Sequence, residues 1–466
     1  MTRSIRLFSH YVNAQSLALF LGDLVILTTS VYSGDWIRVL GLPPVWLGVP
    51  PIFPKVATFV FIGILTFHVA GLYNSSPHVG RKELALWAMA ASAVWGFLFA
   101  ALAFSIPSLR LSRAAASLGI GVGTLGVIGI RWLFSFQTMI PRFRERLLFL
   151  GATPAADRLI SELEAHNPGY EILGFVDDRP AREIPLTNGF RVLGTTEQLH
   201  EIATTTQAGT IVVALTERRG AFPMQEILNC KLRGVTIEDY PAFYEKLTGK
   251  IFVQNLRPSW LIFSEGFTRT RLVSFLKRMV DLALSSLFLA LGWPVFLGVA
   301  IAIKLDSRGP VFFRQERVGD RGRVFTLLKF RTMIDGAEGV TGPTWATEED
   351  PRTTPIGRWL RRTRLDEFPQ ILNVVKGEMS FIGPRPERPH FVDQLQEKIP
   401  YYAQRHTVKP GITGWAQVRY RYGATIEDAE EKLQYDLYYV KNMSPFLDML
   451  ILLSSVQVVL FGKGAR

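Results

Sequence analysis

Four stretches of predominantly apolar residues open the chain, from Gln15 to Tyr32, Val45 to Ala70, Leu84 to Ile106 and Ala114 to Ile130. Each is close to the ~20 residues a helix needs to cross a bilayer core. The pattern therefore predicts four transmembrane helices in residues 1–141. The first stretch lacks a small-residue cleavage site and reads as a retained helix. Arg3 and Arg6 precede it, Arg81 and Lys82 lie between the second and third stretches, and Arg131, Arg142, Arg144 and Arg146 follow the fourth. The other two loops hold Arg38, Arg110 and Arg113, and Lys55 lies near the start of the second stretch. The positive-inside tendency then puts both the N-terminus and the downstream chain in the cytoplasm.

From Glu145 the period changes. RLLFLGATPAADRLISELEAH reads as a short strand, a glycine turn and an amphipathic helix. Apolar strands at Glu171 to Val176, Phe190 to Leu193, Thr210 to Leu215 and Val235 to Glu238 then alternate with helical stretches at Glu197 to Thr205 and Met224 to Leu232. Such alternation predicts a small, doubly wound, Rossmann-like α/β domain over residues 142–265. Its turn, GATPAA, lacks the second glycine that brings backbone close to a pyrophosphate in G-x-G-x-x-G, which favours a structural or regulatory role over nucleotide binding. Asp177 and Asp178 in GFVDD could contact a ribose, but such pairs more often start a turn.

A fifth apolar segment, VDLALSSLFLALGWPVFLGVAIAIK, is long enough to span. Its flanks argue against a crossing: Arg269, Arg271, Lys277 and Arg278 stand before it, and Lys304, Arg308, Arg314 and Arg317 after it. Pro294 lies near its middle, where it removes a backbone donor and bends a helix. The expectation is a re-entrant helical hairpin over about 275–304, entering and leaving on the cytoplasmic face, within a C-terminal α/β domain of residues 266–466. A fifth full crossing would instead put everything after Lys304 outside the cell. The last apolar segment, about 446–460, contains Asp448, Ser454, Ser455 and Gln457 and reads as an interfacial amphipathic helix.

Composition agrees with a membrane protein. Of 466 residues 48% are hydrophobic, more than a soluble chain needs. The 52 lysines and arginines exceed the 40 acids, an excess that suits an anionic leaflet or phosphorylated substrates. No nucleic-acid module is recognisable, so nucleic acid is not an expected partner. A single cysteine, Cys230, excludes an intramolecular disulfide and a cysteine-based zinc site, in keeping with soluble parts in the reducing cytoplasm.

The candidate chemistry lies in the last third. Phe325, Leu327 and Phe330 alternate as in a strand, from which Lys329 and Arg331 project basic heads. GRWLRRTRLDEFPQ then sets Arg358, Arg361, Arg362 and Arg364 close to Asp366 and Glu367, either for mutual neutralisation or as forked donors for a pyrophosphate. Phe368, Ile371, Leu372 and Val375 mark a helix with one buried stripe, ended by Gly377. Asp366 falls at its expected N-cap, with Glu367 and Pro369 in the first turn. Capping is a complete structural account, and on the residues alone it has the edge. The same place also keeps a carboxylate ionised and fixed in direction, as a nucleophile or a magnesium ligand requires. Arg385 is restrained between Pro384 and Pro386. Lys409-Pro410-Gly411 and Gly414-Trp415 read as a structural turn, and His390 and His406 as poor general bases.

The ordered motifs KFRTM, LRRTRLDEFPQILNVVKGEMSFIGPRPE and KPGITGWAQVRY, with the apolar segment before them, resemble the bacterial polyprenyl-phosphate sugar-1-phosphate transferases, the monotopic phosphoglycosyl transferases. The resemblance covers roughly residue 275 to the C-terminus. The spans and α/β domain in front look like the large form related to undecaprenyl-phosphate glucose or galactose phosphotransferases of exopolysaccharide assembly, and PRPERP with the terminal GKGAR looks like the exosortase-associated (PEP-CTERM) members. It implies an enzyme of the inner membrane that takes a UDP-sugar and undecaprenyl phosphate and uses Mg2+. By resemblance Asp366 is the nucleophile and metal ligand, Glu367 its assistant, and Lys329, Arg331, Arg361 and Arg385 the substrate-binding cations. Pro294 matches the helix-breaking proline of the hairpin, and a homodimer is the implied assembly. A membrane sensor or scaffold working through the α/β domain is the alternative. An oxidoreductase is disfavoured because the middle domain has no Tyr-x-x-x-Lys pair.

Overall fold

The computed structural model describes residues 4–7, 10–39, 52–73, 81–139, 144–166, 169–179, 190–215, 222–254, 256, 258–264, 266–267, 270–337, 350–420, 423 and 425–461. The expected start of the second stretch at Val45, the flank residues Arg142 and Arg269 and the terminal GKGAR lie outside the described residues. The chain folds as two compact units that divide between Lys246 and Leu247.

A two-stranded ribbon, β1 (Ser4–Leu7) and β2 (His10–Asn13), precedes four helices on the four expected stretches: α1 (Ala14–Val39), α2 (Ile52–Val69), α3 (Arg81–Ser105) and α4 (Arg113–Met139). Leu84–Ser105 and Ala115–Leu133 are long and apolar enough to cross a membrane; Ser16–Tyr32 and Phe53–Val69 are shorter apolar helices. Trp95, fully buried, donates its Nε1–H to the Phe59 carbonyl at 2.9 Å, so its one polar atom is satisfied inside the bundle. Arg131, counted from sequence among the flanking charges, is turned inward. Its Nη1 and Nη2 meet the two oxygens of the fully buried Asp23 at 2.9 and 2.8 Å, and Tyr73 donates its hydroxyl to the same carboxylate at 2.7 Å. A buried charge needs this complete pairing to be tolerated.

The middle region is a five-stranded parallel sheet, order β5-β4-β3-β6-β7, built from β3 (Glu145–Leu150), β4 (Tyr170–Val176), β5 (Val192–Gly194), β6 (Thr210–Val213) and β7 (Thr236–Asp239). Helices α5 (Pro154–His166), α6 (Leu199–Thr205) and α7 (Met224–Leu232) lie between its strands, and α8 (Tyr240–Thr248) follows β7. The run Leu147 to Leu150 is fully buried, as expected of a parallel strand covered on both faces. At the glycine turn the Ala152 N–H donates to Asp177 Oδ2 at 2.7 Å, and Arg179 Nη2 joins Asp177 at 2.8 Å and the Ala152 carbonyl at 2.6 Å. The carboxylate considered for a ribose is thus engaged by the turn itself.

The second unit begins earlier than the composition suggests, because Ile251, Val253 and Leu256 are buried in its core beside Leu433, Tyr438 and Ile451. After α9 (Pro258–Phe263) comes α10 (Arg271–Asp306), whose N-cap Thr270 accepts from the Val273 N–H. Where a hairpin is expected the chain forms one 36-residue helix with Pro294 inside it, long and apolar enough to cross a membrane. One side is docked: Asp281, Ser285, Val299 and Ile303 are buried, while Leu291, Trp293, Leu297 and Leu305 are exposed. Then follow the antiparallel pair β8 (Phe312–Val318) and β9 (Val324–Phe330), α11 (Pro355–Thr363), α12 (Gln370–Lys376), and β10 (Ser380–Ile382). The remainder is α13 (Pro389–Lys398), β11 (Gly411–Thr413) parallel to β10, α14 (Trp415–Arg419), α15 (Ile426–Asn442) and α16 (Pro445–Phe461). Asp448 of α16, read from sequence as part of an interfacial polar face, instead accepts from Lys277 of α10 at 2.7 Å and from the Tyr439 hydroxyl at 2.8 Å.

Candidate active site

Three short elements converge on the acidic pair. Helix α11 ends at Arg364 in the left-handed conformation (φ 60°), and a 3-10 turn, Leu365–Glu367, leads into α12. This corrects the capping expectation. Asp366 sits inside the 3-10 turn, Pro369 takes the N-cap position of α12, and neither makes a side-chain capping bond. The reversal at Arg364 feeds the chain directly into a helical turn, so no extended residue is left to serve as a cap.

Helix α12 is registered on β9 by a residue the hydrophobic pattern passed over. Asn373, fully buried, accepts from the Leu328 N–H at 3.1 Å and donates to the Thr326 carbonyl at 2.7 Å, pairing the free edge of β9. Val375, placed by the pattern in the buried stripe, is 39% exposed. The buried face is Gln370, Ile371, Asn373 and Val374. The docking brings Lys329, near the end of β9, to Glu367: Nζ donates to Oε1 at 3.1 Å. The third element is the loop after β10. Glycines at 383 and 411 allow it, since a Cβ on either would collide with the other strand's backbone. Arg385 leaves this loop and donates to Glu367 Oε1 at 2.6 Å and Oε2 at 3.4 Å.

The two carboxylates are therefore in opposite situations. Burial works against the charged form of Glu367, but Arg385 and Lys329 override it and hold its carboxyl well below the usual range. Asp366, also buried, accepts no hydrogen bond and forms no ion pair among the described residues. Burial pushes its pKa up, Lys329 opposes this, and the neighbouring Glu367 charge adds to it. Burial likewise lowers the Lys329 pKa, against the pull of Glu367.

Two of the predicted cations lie outside this cluster. Arg331 is buried and donates to the Arg308 carbonyl at 2.8 Å and to the Ser307 carbonyl and hydroxyl at 2.9 Å, so it ties the end of α10 to β9. Arg361 donates to Thr332 Oγ1 at 3.0 Å and Thr353 Oγ1 at 3.3 Å. Pro294 lies on α10, where neighbouring Gly292 leaves room for the ring of Phe368, two residues past Asp366. Sequence reading missed Arg317, which donates to the Pro386 carbonyl at 2.9 Å, and Arg405, which donates to the Arg385 carbonyl at 2.9 Å. Both act on backbone oxygens, and no local sequence pattern signals such a contact.

Cations fixed beside a carboxylate that no protein group occupies suit reaction at phosphorus, and a long helix with an apolar outer side puts that chemistry at a membrane. The class so defined is a membrane-associated phosphate-group transferase. Residues 272–462 match the family described as bacterial sugar transferase, and residues 68–227 the one described as CoA-binding domain. A UDP-glucose:undecaprenyl-phosphate glucose-1-phosphate transferase of Xanthomonas campestris pv. campestris is 30% identical over 98% of this chain and 96% of its own length. A UDP-N-acetylgalactosamine-undecaprenyl-phosphate N-acetylgalactosaminephosphotransferase of Aeromonas hydrophila is 40% identical over 52% of this chain, an alignment that spans 56% of that relative. A UDP-glucose:undecaprenyl-phosphate glucose-1-phosphate transferase of Escherichia coli (strain K12) is 43% identical over 41% of each chain. The chain belongs to the bacterial sugar transferases of the polyprenyl-phosphate type, and it is a phosphotransferase enzyme.

Proposed function

We propose that the protein transfers a sugar 1-phosphate from a UDP-sugar to undecaprenyl phosphate at the cytoplasmic face of the inner membrane, the step that starts an exopolysaccharide. The observation that carries the mechanism is the division between the two carboxylates: Glu367 is saturated by Lys329 and Arg385, while Asp366 beside it is unpartnered among the described residues. An Asp366 oxygen attacks the β-phosphorus. The new bond is Asp366 O–P, the bond that breaks joins that phosphorus to the bridging oxygen, and UMP leaves with the electron pair. A phosphate oxygen of the lipid then attacks the aspartyl sugar-phosphate, giving the diphosphate-linked sugar and restoring the carboxylate. Lys329 and Arg385 stabilise charge on the phosphoryl oxygens without needing to reorganise. Glu367 keeps both in place and takes no proton, because its charged form is the one they stabilise.

The donor set fits magnesium. No group of three or more His, Cys, Asp or Glu gathers among the described residues, yet Mg2+ needs only one or two carboxylates when substrate phosphates and water complete its shell. Asp366 is the carboxylate that would hold it. When bound, the ion supplies Lewis-acid polarisation of the pyrophosphate.

The disposition of α10 supports a helix that re-enters. Residues from Arg278 to Ile303 pack on the same unit on both sides of Pro294, a stretch of about 38 Å at 1.5 Å per residue. A helix crossing a bilayer core of about 30 Å would carry its far half away from a unit on one side.

Incubation of the full-length protein with labelled UDP-glucose, UDP-galactose or UDP-N-acetylgalactosamine, undecaprenyl phosphate and Mg2+ tests the reaction. Lipid-linked product and UMP are expected from at least one donor, and none from Asp366→Asn at unchanged melting temperature. Full specific activity in that variant would end the nucleophile reading.

A further inference from the structure

The second unit contains a buried ion pair that neither the proposed chemistry nor the helix docking uses. Arg405 and Asp436 are 6% and 2% exposed, with Nε and Nη2 of the arginine at 3.0 and 2.8 Å from Asp436 Oδ2. Arg405 Nη1 donates to the Tyr402 hydroxyl at 2.7 Å. The remaining donation runs from Nη2 to the main-chain carbonyl of Arg385 at 2.9 Å. Stability is a weak reason for such a pair, because well-packed apolar residues in its place are often as good or better. Its geometry is better explained by its target. Arg385 lies between two prolines of fixed φ, so the direction of its carbonyl sets the direction in which its side chain leaves the loop. Arg317 fixes the next carbonyl, that of Pro386, at 2.9 Å and pairs with Glu387 at 3.4 Å. The guanidinium at the other end of Arg385 then reaches Glu367 at 2.6 Å.

We infer that Arg405, oriented by Asp436, is a positioning residue for the transfer reaction: it aims Arg385 by holding the backbone from which that side chain departs. The inference rests on the reaction proposed above for the Asp366 site. The guanidinium's planar fork serves Asp436, Tyr402 and the carbonyl at once, which a lysine ammonium in the same space does not. A misplacement of the order of 1 Å at a reacting centre is enough to lose about two orders of magnitude in rate.

A double-mutant cycle in the full-length protein decides it, using whichever of the three UDP-sugars is turned over. Arg405→Lys is expected to lower kcat/KM about 100-fold. With Arg385→Ala already present the same change should cost less than about twofold, since the group through which Arg405 acts is gone. A purely structural role would give the same factor in both backgrounds and would overturn the inference. A readout independent of turnover is hydrogen exchange in a peptide spanning residues 383–391, which Arg405→Lys should accelerate while α5 and its neighbours are unchanged; unaltered exchange there also overturns it. Should Arg405→Lys fail to fold, Asp436→Asn keeps the guanidinium and carries the same cycle, with an expected loss of about tenfold. If no UDP-sugar is turned over, the proposed reaction fails by itself and the exchange measurement still decides whether Arg405 holds the loop.

Discussion

Replacing Glu367 by glutamine separates a fixed anion from a proton acceptor. The substitution keeps size and one acceptor oxygen but removes the charge that holds Lys329 at 3.1 Å and Arg385 at 2.6 Å. An opposite charge at about 4 Å with an effective dielectric near 20 is worth about 4 kcal/mol. That figure stands for Lys329. Arg385 is 31% exposed at its side chain, which screens its share toward the ~1 kcal/mol of a surface pair. Relief of the glutamate's desolvation offsets part of the sum, leaving a net loss of about 3 kcal/mol, at the lower end of what removing one partner of a buried pair costs. Placed on the transition state, about 3 kcal/mol is a fall of about 100-fold in kcat/KM. The pH profile adds a second signature. Attack requires ionised Asp366, whose pKa is raised by burial, opposed by Lys329 and raised again by Glu367. Wild-type activity should therefore fall, as pH drops, through a value above the ordinary aspartate pKa. In Glu367→Gln one anion is gone and two cations are released to favour ionised Asp366, so the acid limb moves to lower pH while the plateau drops. The assay is initial-rate UMP release from the full-length protein across pH 4.5–9. A variant whose acid limb moves upward, or whose kcat/KM stays within about threefold of wild type, refutes the fixed-anion role.

Arg331→Ala removes three hydrogen bonds at the end of α10, so a lower melting temperature is expected with the KM for the UDP-sugar unchanged; a raised KM without loss of stability would return Arg331 to the substrate. Chelation with EDTA should abolish transfer and added Mg2+ restore it, whereas full turnover in EDTA would remove the metal from the reaction. For topology, Glu397→Cys in a Cys230→Ser background places one thiol on the exposed side of α13. An impermeant maleimide should label it only after permeabilisation, and labelling in intact spheroplasts contradicts a re-entrant α10.

The apolar runs made the four helices legible, and the strand–helix alternation gave the sheet nearly strand for strand, because burial on both faces leaves Leu147 to Leu150 no polar position. Asp366 was legible as a special carboxylate from its basic surroundings, but its capping role was not realised: an αL turn at Arg364 depends on how α11 meets α12, which no local preference encodes. Arg331 and Lys329 are two residues apart and look equivalent in KFRTM. The structure separates them, because Lys329 meets Glu367 while Arg331 meets the end of α10. Asn373 was invisible for a related reason, since a polar side chain between apolar positions looks like an interruption until the strand edge it satisfies is known.

Helix α10 is fastened to the rest of its unit by polar groups at its first turns: Lys277 to Asp448, Arg278 to the Val374 and Val375 carbonyls at 2.6 and 2.8 Å, and Asp281 to Ser380 Oγ and the Phe381 N–H at 3.0 Å each. Cutting the chain after residue 306 in search of a water-soluble enzyme would strip the end of α12 of its donors and leave β10 without its acceptor. The helix is as much a wall of the protein as a hold on the bilayer. A preparation in aqueous solution must retain it and clothe its outer side in amphiphile.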